Sequence, residues 1–486
     1  ILVIIIILII GVLFIKSRGE LYTELGENVY TNDYFGYSYV YEDGFECDLS
    51  MEKIKTTLKS QDMEIDIYYD DFNNTFNNSR TYTNYGNEHI KDNEYVDVKI
   101  DKTIHRWSYK INVLSWERKK FNAIENDKNY YLCLQYIKNK NEVYTVMIKS
   151  TYPVEYKDMI NKLILLREKS GSIDDLNFDK LKHSSVVDKN TIAGKYYYDT
   201  FTDDAPMKWG IFHPLSCGGD FDSLKNLENE LDYKFEILLD YKGINLPPNT
   251  HLFDMKDRVV EYTLQVLGDN SNPIIMYEIL DGKYDDKINE YAEDIKKSKN
   301  VVLFRLNNEM NGDWCSYSAW FTQTDTGIYK EVWKYIYNKF KENGVNNTLW
   351  VWNPNWGDFP SFKWNHYLNY FPGEEYVDII GVTGYNTGTY YEHETWRTFE
   401  EIYDPMMEEY REYFDYRFMI TEFGCSSFGG DKSAWIRDMM QKIEKYNFDI
   451  AIWFSSTDYD ANGNPARIYN IDETQEIKET FKNGIR

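Results

Sequence analysis

Residues 301–314, Val-Val-Leu-Phe-Arg-Leu-Asn-Asn-Glu-Met-Asn-Gly-Asp-Trp, contain the pattern that decides the fold. The apolar run 301–306 predicts a short buried strand, and polar residues follow at its end. Residues 327–342 then show the spacing of an amphipathic helix, and Gly344 is suited to ending it. The apolar face of this helix contains Ile328, Val332, Ile336 and Phe340. A buried strand, a loop and an amphipathic helix form the repeating unit of a parallel β/α fold.

The same unit recurs along the second part of the chain. Helical patterns cover 284–299, 398–413 and 432–446 in addition to 327–342. Strands alternating with helices in this way predict a (β/α)8 barrel over residues 193–486. An open doubly wound sheet also alternates, but no Gly-rich phosphate loop follows the first strand. The predicted strands are 209–212, 235–239, 274–277, 301–306, 348–352, 377–382, 417–421 and 450–454.

Residues 20–192 have a different pattern. Apolar and polar residues alternate in several short runs, which indicates half-buried antiparallel strands. Residues 51–59 and 156–169 have helical spacing instead. We therefore predict a small α+β domain, joined to the barrel by a linker over residues 183–195. The alternating runs are 63–69, 95–100, 130–136 and 143–148.

The chain opens with fifteen apolar residues, followed by Lys16 and Arg18. A membrane span needs about 20 apolar residues, and the sequence does not start with Met. We predict a transmembrane anchor or an uncleaved signal segment over residues 1–19. The expected location is therefore membrane-anchored, with the catalytic domain outside the cell, or secreted.

Composition narrows the range of partners. The 80 acidic and 54 basic residues of this 486-residue chain give a formal charge of −26, which disfavours binding to nucleic acid or anionic lipid. The five cysteines form no CxxC pair, so no zinc site is expected. The sequence still allows one disulfide bond in the second half of the chain. Aromatic residues make up 17%, an excess that suits a thick core or surfaces that stack on sugar rings. We expect a monomer without cofactor or metal.

Two glutamates follow predicted strands four and seven. Glu309 follows the strand quoted above, and Glu422 follows the run 417–421. Each alone could be a solvated loop acid or, for Glu309, an ion-pair partner of Arg305. Strands four and seven lie across the mouth of an eight-stranded barrel, so the two carboxyl groups can face each other over a cleft. Paired carboxyl groups across a cleft are the arrangement that glycoside hydrolysis requires.

Four segments resemble motifs of glycoside hydrolase family 26, a (β/α)8 family of clan GH-A. They are 305–314, 349–355, 377–385 and 420–424, in the order that the family has them. The resemblance implies a retaining mechanism in which Glu309 is the acid/base and Glu422 the nucleophile. It implies a hydrogen bond from Tyr385 to the nucleophile and sugar stacking at Trp314 and Trp453.

Further substrate contacts are expected at Arg305, Asn308, His213 and Trp352, although a loop histidine beside Pro214 is as often structural. Asn308 departs from the typical mannanase pattern, which has His at this position. The resemblance thus implies an endo-β-glycanase whose polymer is mannan, mixed-linkage glucan, xylan or an exopolysaccharide. The alternative is a non-hydrolytic cell-surface protein that binds polysaccharide on a barrel scaffold.

Overall fold

The computed structural model describes residues 27–267 and 273–485. The predicted anchor over residues 1–19 lies outside this part of the chain. Within the described ranges, no helix is both long enough and apolar enough to cross a membrane. Contacts divide the chain into a small unit, which runs to Asp179 and includes Phe362–Trp364, and a large unit formed by Lys180–Ser361 and Asn365–Arg486.

The small unit is built from antiparallel strands. Strands β3 to β9 form a seven-stranded sheet in the order β3-β4-β5-β9-β8-β7-β6, and β1, β2 and β10 form a second sheet. The strands are Glu27–Asn32 (β1), Tyr37–Glu42 (β2), Glu46–Asp48 (β3), Thr56–Lys59 (β4), Met63–Asp71 (β5), Val96–His105 (β6), Lys110–Arg118 (β7), Tyr130–Ile137 (β8), Glu142–Ser150 (β9) and Leu163–Leu165 (β10), with helices Ser79–Gly86 (α1) and Tyr156–Met159 (α2).

Two predicted helices of this unit are wrong. Residues 51–59 end in strand β4, which pairs with β5, and Thr57 donates a 2.6 Å hydrogen bond to the buried Asp66 carboxylate. The predicted helix over 156–169 stops after one turn, and its apolar residues continue as β10 along β2. In both places strand pairing overrides a weak helical pattern.

The large unit is a closed barrel of eight parallel strands, as the alternation predicts. Its elements are Leu181–Lys182 (β11), Ile192–Thr200 (α3), Lys208–Phe212 (β12), Pro214–Cys217 (α4), Phe221–Leu231 (α5), Ile237–Gly243 (β13), Thr250–Phe253 (α6), Val259–Gln265 (β14), Ile275–Leu280 (α7), Asp285–Ser298 (α8), Val302–Leu306 (β15), Thr326–Glu342 (α9), Thr348–Trp352 (β16), Ile379–Asn386 (β17), Phe399–Tyr413 (α10), Phe414–Asp415 (β18), Phe418–Cys425 (β19), Lys432–Lys442 (α11), Ile450–Phe454 (β20), Thr457–Tyr459 (β21), Pro465–Ile468 (β22) and Gln475–Gly484 (α12).

The third barrel strand differs from the prediction. Residues 274–277 form the N-cap and first turn of helix α7, and the strand is β14, which pairs with β13 on one side and β15 on the other. The inward face of β14 carries Glu261 and Thr263, whereas Tyr262 packs outward against Phe253 and Tyr291. Because the inward face of β14 is polar, its sequence lacks the continuous apolar run by which the other barrel strands are predicted.

The predicted linker over 183–195 is part of the large unit. Strand β11 pairs with β18, and the ring of His183 stacks on Tyr197. Tyr197 of helix α3 and its C-cap residue Phe201 then join the buried cluster that fills the barrel near the start of its strands. Because of this packing, the large unit begins at Lys180, earlier in the chain than the predicted boundary at residue 192. At the opposite end of the barrel, the interior is lined by the polar residues at the C-terminal ends of the strands.

Candidate active site

Alternation along the strands decides which side chains enter the barrel. On β15, Leu303 lies in the interior cluster, Phe304 packs outward on Trp350, and Arg305 faces inward again. On β16, Leu349 and Val351 face inward, so Asn353 continues the inward series at the end of the strand. The interior is therefore apolar at the start of the strands and polar at their ends.

Glu422 is nearly buried and has three partners. Arg305 Nη1 lies 3.2 Å from its Oε1, and the hydroxyl of Tyr385 donates to its Oε2 at 3.2 Å. The hydroxyl of Tyr241 donates to the same Oε2. Burial, and then the charge of Glu422, raises the pKa of both tyrosines well above the usual value near 10, so both stay protonated. The contact from Tyr385 agrees with the sequence prediction, and all three partners direct hydrogen-bond donors at the Glu422 carboxyl group.

A bulge in β19 places two consecutive residues in the barrel interior. The pairing register of β19 shifts between Ile420 and Phe423 on the β20 side. Thr421 donates to Asn353 at 3.1 Å while Glu422 reaches Arg305, so both point inward. Phe423 packs outward on Trp453. Bulges of this kind commonly redirect a side chain beside an active site.

Glu309 lies in a left-handed backbone conformation. Its φ is 55°, and that of Asn307 is 51°, a region that costs a glutamate energy. The backbone N–H of Glu309 donates to the carbonyl of Asn353 at 2.8 Å, and the N–H of Gly312 donates to the backbone carbonyl of Glu309 at 3.0 Å. These bonds hold the strained turn that follows β15. An observed outlier held in this way is typical of functional sites.

The Glu309 carboxyl interacts with Glu422. Burial, and then the negative charge of Glu422, raises its pKa to about 7, and a 2.7 Å hydrogen bond from Asn355 Nδ2 opposes the rise. A carboxyl with this pKa holds a proton near neutral pH and can release it. The two glutamates from strands four and seven are thus brought together, one half-buried and proton-holding, the other tied to an arginine.

Arg305 is fully buried and lies between the carboxyl groups of Glu261 and Glu422. Its Nε donates to Thr263 Oγ1 at 2.7 Å and also lies 2.9 Å from Glu261 Oε1. Its Nη1 donates to Asn353 at 2.8 Å as well as pairing with Glu422. Burial raises the pKa of Glu261 to about 8, against the effect of the guanidinium. Arg305 therefore positions Glu422 from below and offers no surface to a substrate, which corrects its predicted role.

Two other predicted substrate contacts are structural, and a third, His213, is half-buried and caps a short helix. Trp352 and Trp453 are 0% exposed because strand alternation turns them outward, onto Phe371 and onto Phe481 of helix α12. The next residue on β20, Phe454, faces the mouth and stacks on Phe212. His213 caps the short helix α4, where its Nδ1 accepts from Ser216 N at 3.2 Å, and burial lowers its pKa.

Exposed aromatic rings lie on the loops after strands four and five. Trp314 is 52% exposed, as its predicted stacking role requires, and its ring centroid lies 5.6 Å from that of Phe359. Trp356 is 48% exposed, with the Arg397 guanidinium 4.9 Å from its ring. Asn311 ties the two loops by donating to Asn355 O at 3.1 Å and to Asp358 at 2.9 Å. These rings offer flat faces to a sugar chain.

Asn308 has an occupied oxygen and an available amide nitrogen. Gln265 donates to its Oδ1 at 3.0 Å, and the Tyr317 hydroxyl donates to its backbone carbonyl at 2.7 Å. Its Nδ2 makes no hydrogen bond within the described residues. The amide is thus oriented as a donor beside Glu309, which fits the predicted substrate contact.

Sequence reasoning missed five polar residues of the site. Each follows or lies on a barrel strand, which is the signal that could have located them, and Asn353 and Asn355 stand inside a motif already singled out. The missed residues are Tyr241, Glu261, Gln265, Asn353 and Asn355. The cysteines contribute no disulfide, since Cys47, Cys133, Cys217, Cys315 and Cys425 are all free thiols.

Comparison with known proteins matches this region. Residues 257–451 match the sequence profile of glycosyl hydrolase family 26, a segment that contains both glutamates. Endoglucanase H of Acetivibrio thermocellus is 30% identical over 198 residues, 39% of this chain and 21% of that protein. A mannan endo-1,4-β-mannosidase of Bacillus subtilis is 36% identical over 110 residues, 21% of this chain and 29% of that protein.

The mannan endo-1,4-β-mannosidase of Bacillus subtilis strain 168 is 24% identical over 241 residues, 46% of this chain and 61% of that protein. This chain thus spans less than two thirds of the length of each of these relatives. The profile match, the order of the motifs and the observed eight-stranded barrel agree. Residues 257–451 of the barrel are therefore similar to glycosyl hydrolase family 26, which supports assignment of this segment to that family.

Proposed function

We propose that the barrel hydrolyses a β-linked polysaccharide of the mannan or mixed-linkage glucan class by a retaining, two-step mechanism. The observation that carries the proposal is the pairing of Glu309, which accepts from Asn355, with a Glu422 bound to Arg305 and two tyrosines. The names of the relatives, endoglucanase and mannan endo-1,4-β-mannosidase, favour these polymers.

In the first step, Glu422 Oε attacks the anomeric carbon while Glu309 transfers its proton to the departing glycosidic oxygen. The C–O bond to the leaving sugar breaks as the ester bond to Glu422 forms. In the second step, Glu309, now ionised, takes a proton from water, and the resulting hydroxide displaces Glu422 from the anomeric carbon. The proton taken from water restores the protonated form of Glu309, and departure of the sugar frees the Glu422 carboxylate.

Asn308 is proposed to donate to the 2-hydroxyl of the sugar at the cleavage point. Its amide nitrogen is available, and Gln265 fixes its orientation through the 3.0 Å bond to its oxygen. Contacts to the 2-hydroxyl strengthen in the transition state and can supply several kcal/mol. Trp314, Trp356 and Phe359 would stack on neighbouring sugars, since they are the exposed rings of adjacent loops.

The test is reducing-sugar release from β-mannan, mixed-linkage glucan, cellulose and β-1,3-xylan. Glu309→Ala and Glu422→Ala should each lower turnover by several orders of magnitude, whereas Glu392→Ala, an exposed loop acid, should not. Proton NMR of the first product should show retained anomeric configuration.

Near-normal turnover in either glutamate variant would show that the roles are wrong, and an inverted product would exclude the two-step mechanism. A wild-type protein that binds these polymers without cutting any of them would support the binding-only alternative.

A further inference from the structure

The small unit contains a groove that the proposed hydrolysis does not use. It has a volume of about 960 Å³ and lies between helix α1 and the hairpin formed by β6 and β7. We call it the basic groove and define it by Arg80, Asn112, Lys110, Trp107, Lys138 and Lys140. All of these residues belong to the small unit.

The groove follows from the alternation of β7 and from the position of α1. Ile111 and Val113 enter the buried core on one face of the sheet, so Lys110 and Asn112 are placed on the other. Helix α1 covers only part of that second face, where Tyr82 bonds to Thr145 of β9 at 2.7 Å. The part over β7 and β6 stays uncovered.

The groove is positively charged in an acidic protein. Its lining contains Arg80, His105, Arg106, Lys110, Lys138 and Lys140 but a single acidic residue, Asp101. The whole chain, in contrast, has 80 acidic and 54 basic residues. Within the described ranges, Arg80, Lys110 and Lys140 form no ion pair, and Lys138 pairs with Glu142 at 3.3 Å. Unpaired cations gathered on one face of such a chain indicate an anionic ligand.

The remaining lining residues favour a carbohydrate. Trp107 is 105% exposed at the tip of the hairpin, which leaves its whole indole face available for stacking. Asn84 lines the groove and offers an amide group that matches sugar hydroxyls, whereas the amides of Asn87, Asn112 and Asn139 are engaged with neighbouring groups of the protein. Thr103 fixes Asn112 through a 2.9 Å bond to its oxygen. A nucleic-acid strand would use a series of exposed rings for successive bases, but Tyr109, the other large ring of the lining, packs on Tyr136 of the core.

We propose that the basic groove binds a segment of an acidic polysaccharide, with uronate carboxylates against Arg80 and Lys110 and one sugar face on Trp107. The basic groove would attach the protein to a charged glycan while the barrel acts on a β-linked polysaccharide. The choice of carbohydrate rests in part on the proposed function of the barrel, but the binding itself does not require hydrolysis.

The experiment measures binding of the full chain to polymannuronate, neutral glucomannan and poly-dT at low and high salt. The double variant Arg80→Gln/Lys110→Gln should bind polymannuronate at least tenfold more weakly, and Trp107→Ala several-fold more weakly. Lys102→Gln is the matched control, because Lys102 lies on β6 but contacts Tyr156, 3.9 Å from its ring, outside the groove. It should bind within twofold of the wild type, and all variants should keep the thermal midpoint.

Binding of polymannuronate should weaken with salt, and neutral glucomannan should not compete for the groove. Equal binding by the double variant and by Lys102→Gln would overturn the proposal. So would an absence of binding, or tighter binding of poly-dT that the double variant abolishes. Hydrolysis by the barrel is measured separately, so failure of the groove and failure of the proposed hydrolysis give different results.

Discussion

The hydrogen bond from Asn355 to Glu309 provides a quantitative test of the acid/base role. Asn355 Nδ2 donates to Glu309 Oε1 at 2.7 Å and stabilises the ionised carboxylate. Its removal in Asn355→Ala should therefore favour the protonated form and raise the pKa of Glu309 from about 7. A hydrogen bond to a charged group contributes about 1.5–3 kcal/mol, and one pKa unit corresponds to about 1.4 kcal/mol. Since Glu309 is half-buried and water can replace part of the bond, we expect a rise of about one unit.

The assay is the pH dependence of kcat/KM, which reports the ionisation of the free enzyme. Activity that needs a protonated Glu309 should fall on the alkaline side near pH 7 in the wild type, and about one unit higher in the variant. Asn365→Ala is the matched control, because Asn365 also ties the loop after strand five, through 2.9 and 3.0 Å bonds to Asn311 O and Pro360 O. It does not contact Glu309, so its alkaline limb should not move.

If the alkaline limb of the kcat/KM profile stays at the same pH or moves to lower pH in Asn355→Ala, the assignment of the titrating group is refuted. Equal upward shifts in Asn355→Ala and Asn365→Ala would show that loop disorder, and not the lost bond, causes the effect. A lower maximal rate without a shift would leave Asn355 as a structural residue and remove the electrostatic argument.

Four further outcomes are expected. Tyr385→Phe removes the 3.2 Å bond to Glu422 and should lower kcat about tenfold to a hundredfold, with the fold unchanged by circular dichroism. Glu261→Gln should reduce the loss of stability between pH 5 and 8 seen in urea unfolding, because Glu261, with its pKa raised to about 8, is protonated when folded and ionised when unfolded over that window. Gly312→Ala places a Cβ 2.3 Å from the Trp314 indole and should raise KM for polymer while sparing kcat on a small aryl glycoside. Trp453→Ala should cost about 3–5 kcal/mol of stability in urea unfolding, and loss of substrate affinity without loss of stability would contradict its place in the core.

The barrel could be predicted because seven of its strands are apolar on both faces near their starts. The third strand escaped detection because Glu261 and Thr263 face inward, where they contact Arg305. Its polar face belongs to the site, so the strand that was hardest to recognise is one that supports the chemistry. The predicted strand at 274–277 was an apolar run that packs as helix α7.

The two glutamates could be predicted, but the orientation of the aromatic residues could not. Trp352 and Trp453 lie at the ends of strands, where successive side chains alternate between the barrel mouth and the outer layer of helices. An error of one residue in the predicted register therefore assigns a side chain to the wrong face. The register that decides between Trp453 and Phe454 depends on pairing with β12, which the chain order alone does not reveal. The network of asparagines was also hidden, since an amide in a loop has no distinctive pattern.

Asn353 lies between the two halves of the site. Its carbonyl accepts from Glu309 N, and its side-chain oxygen accepts from Arg305 and from Thr421, the residue beside Glu422. A single strand end therefore contacts both halves of the carboxyl pair, whereas the exposed rings of Trp314, Trp356 and Phe359 lie on the loops beyond it. Such a separation would allow the loops to diverge toward different polymers while the reaction centre keeps its dimensions.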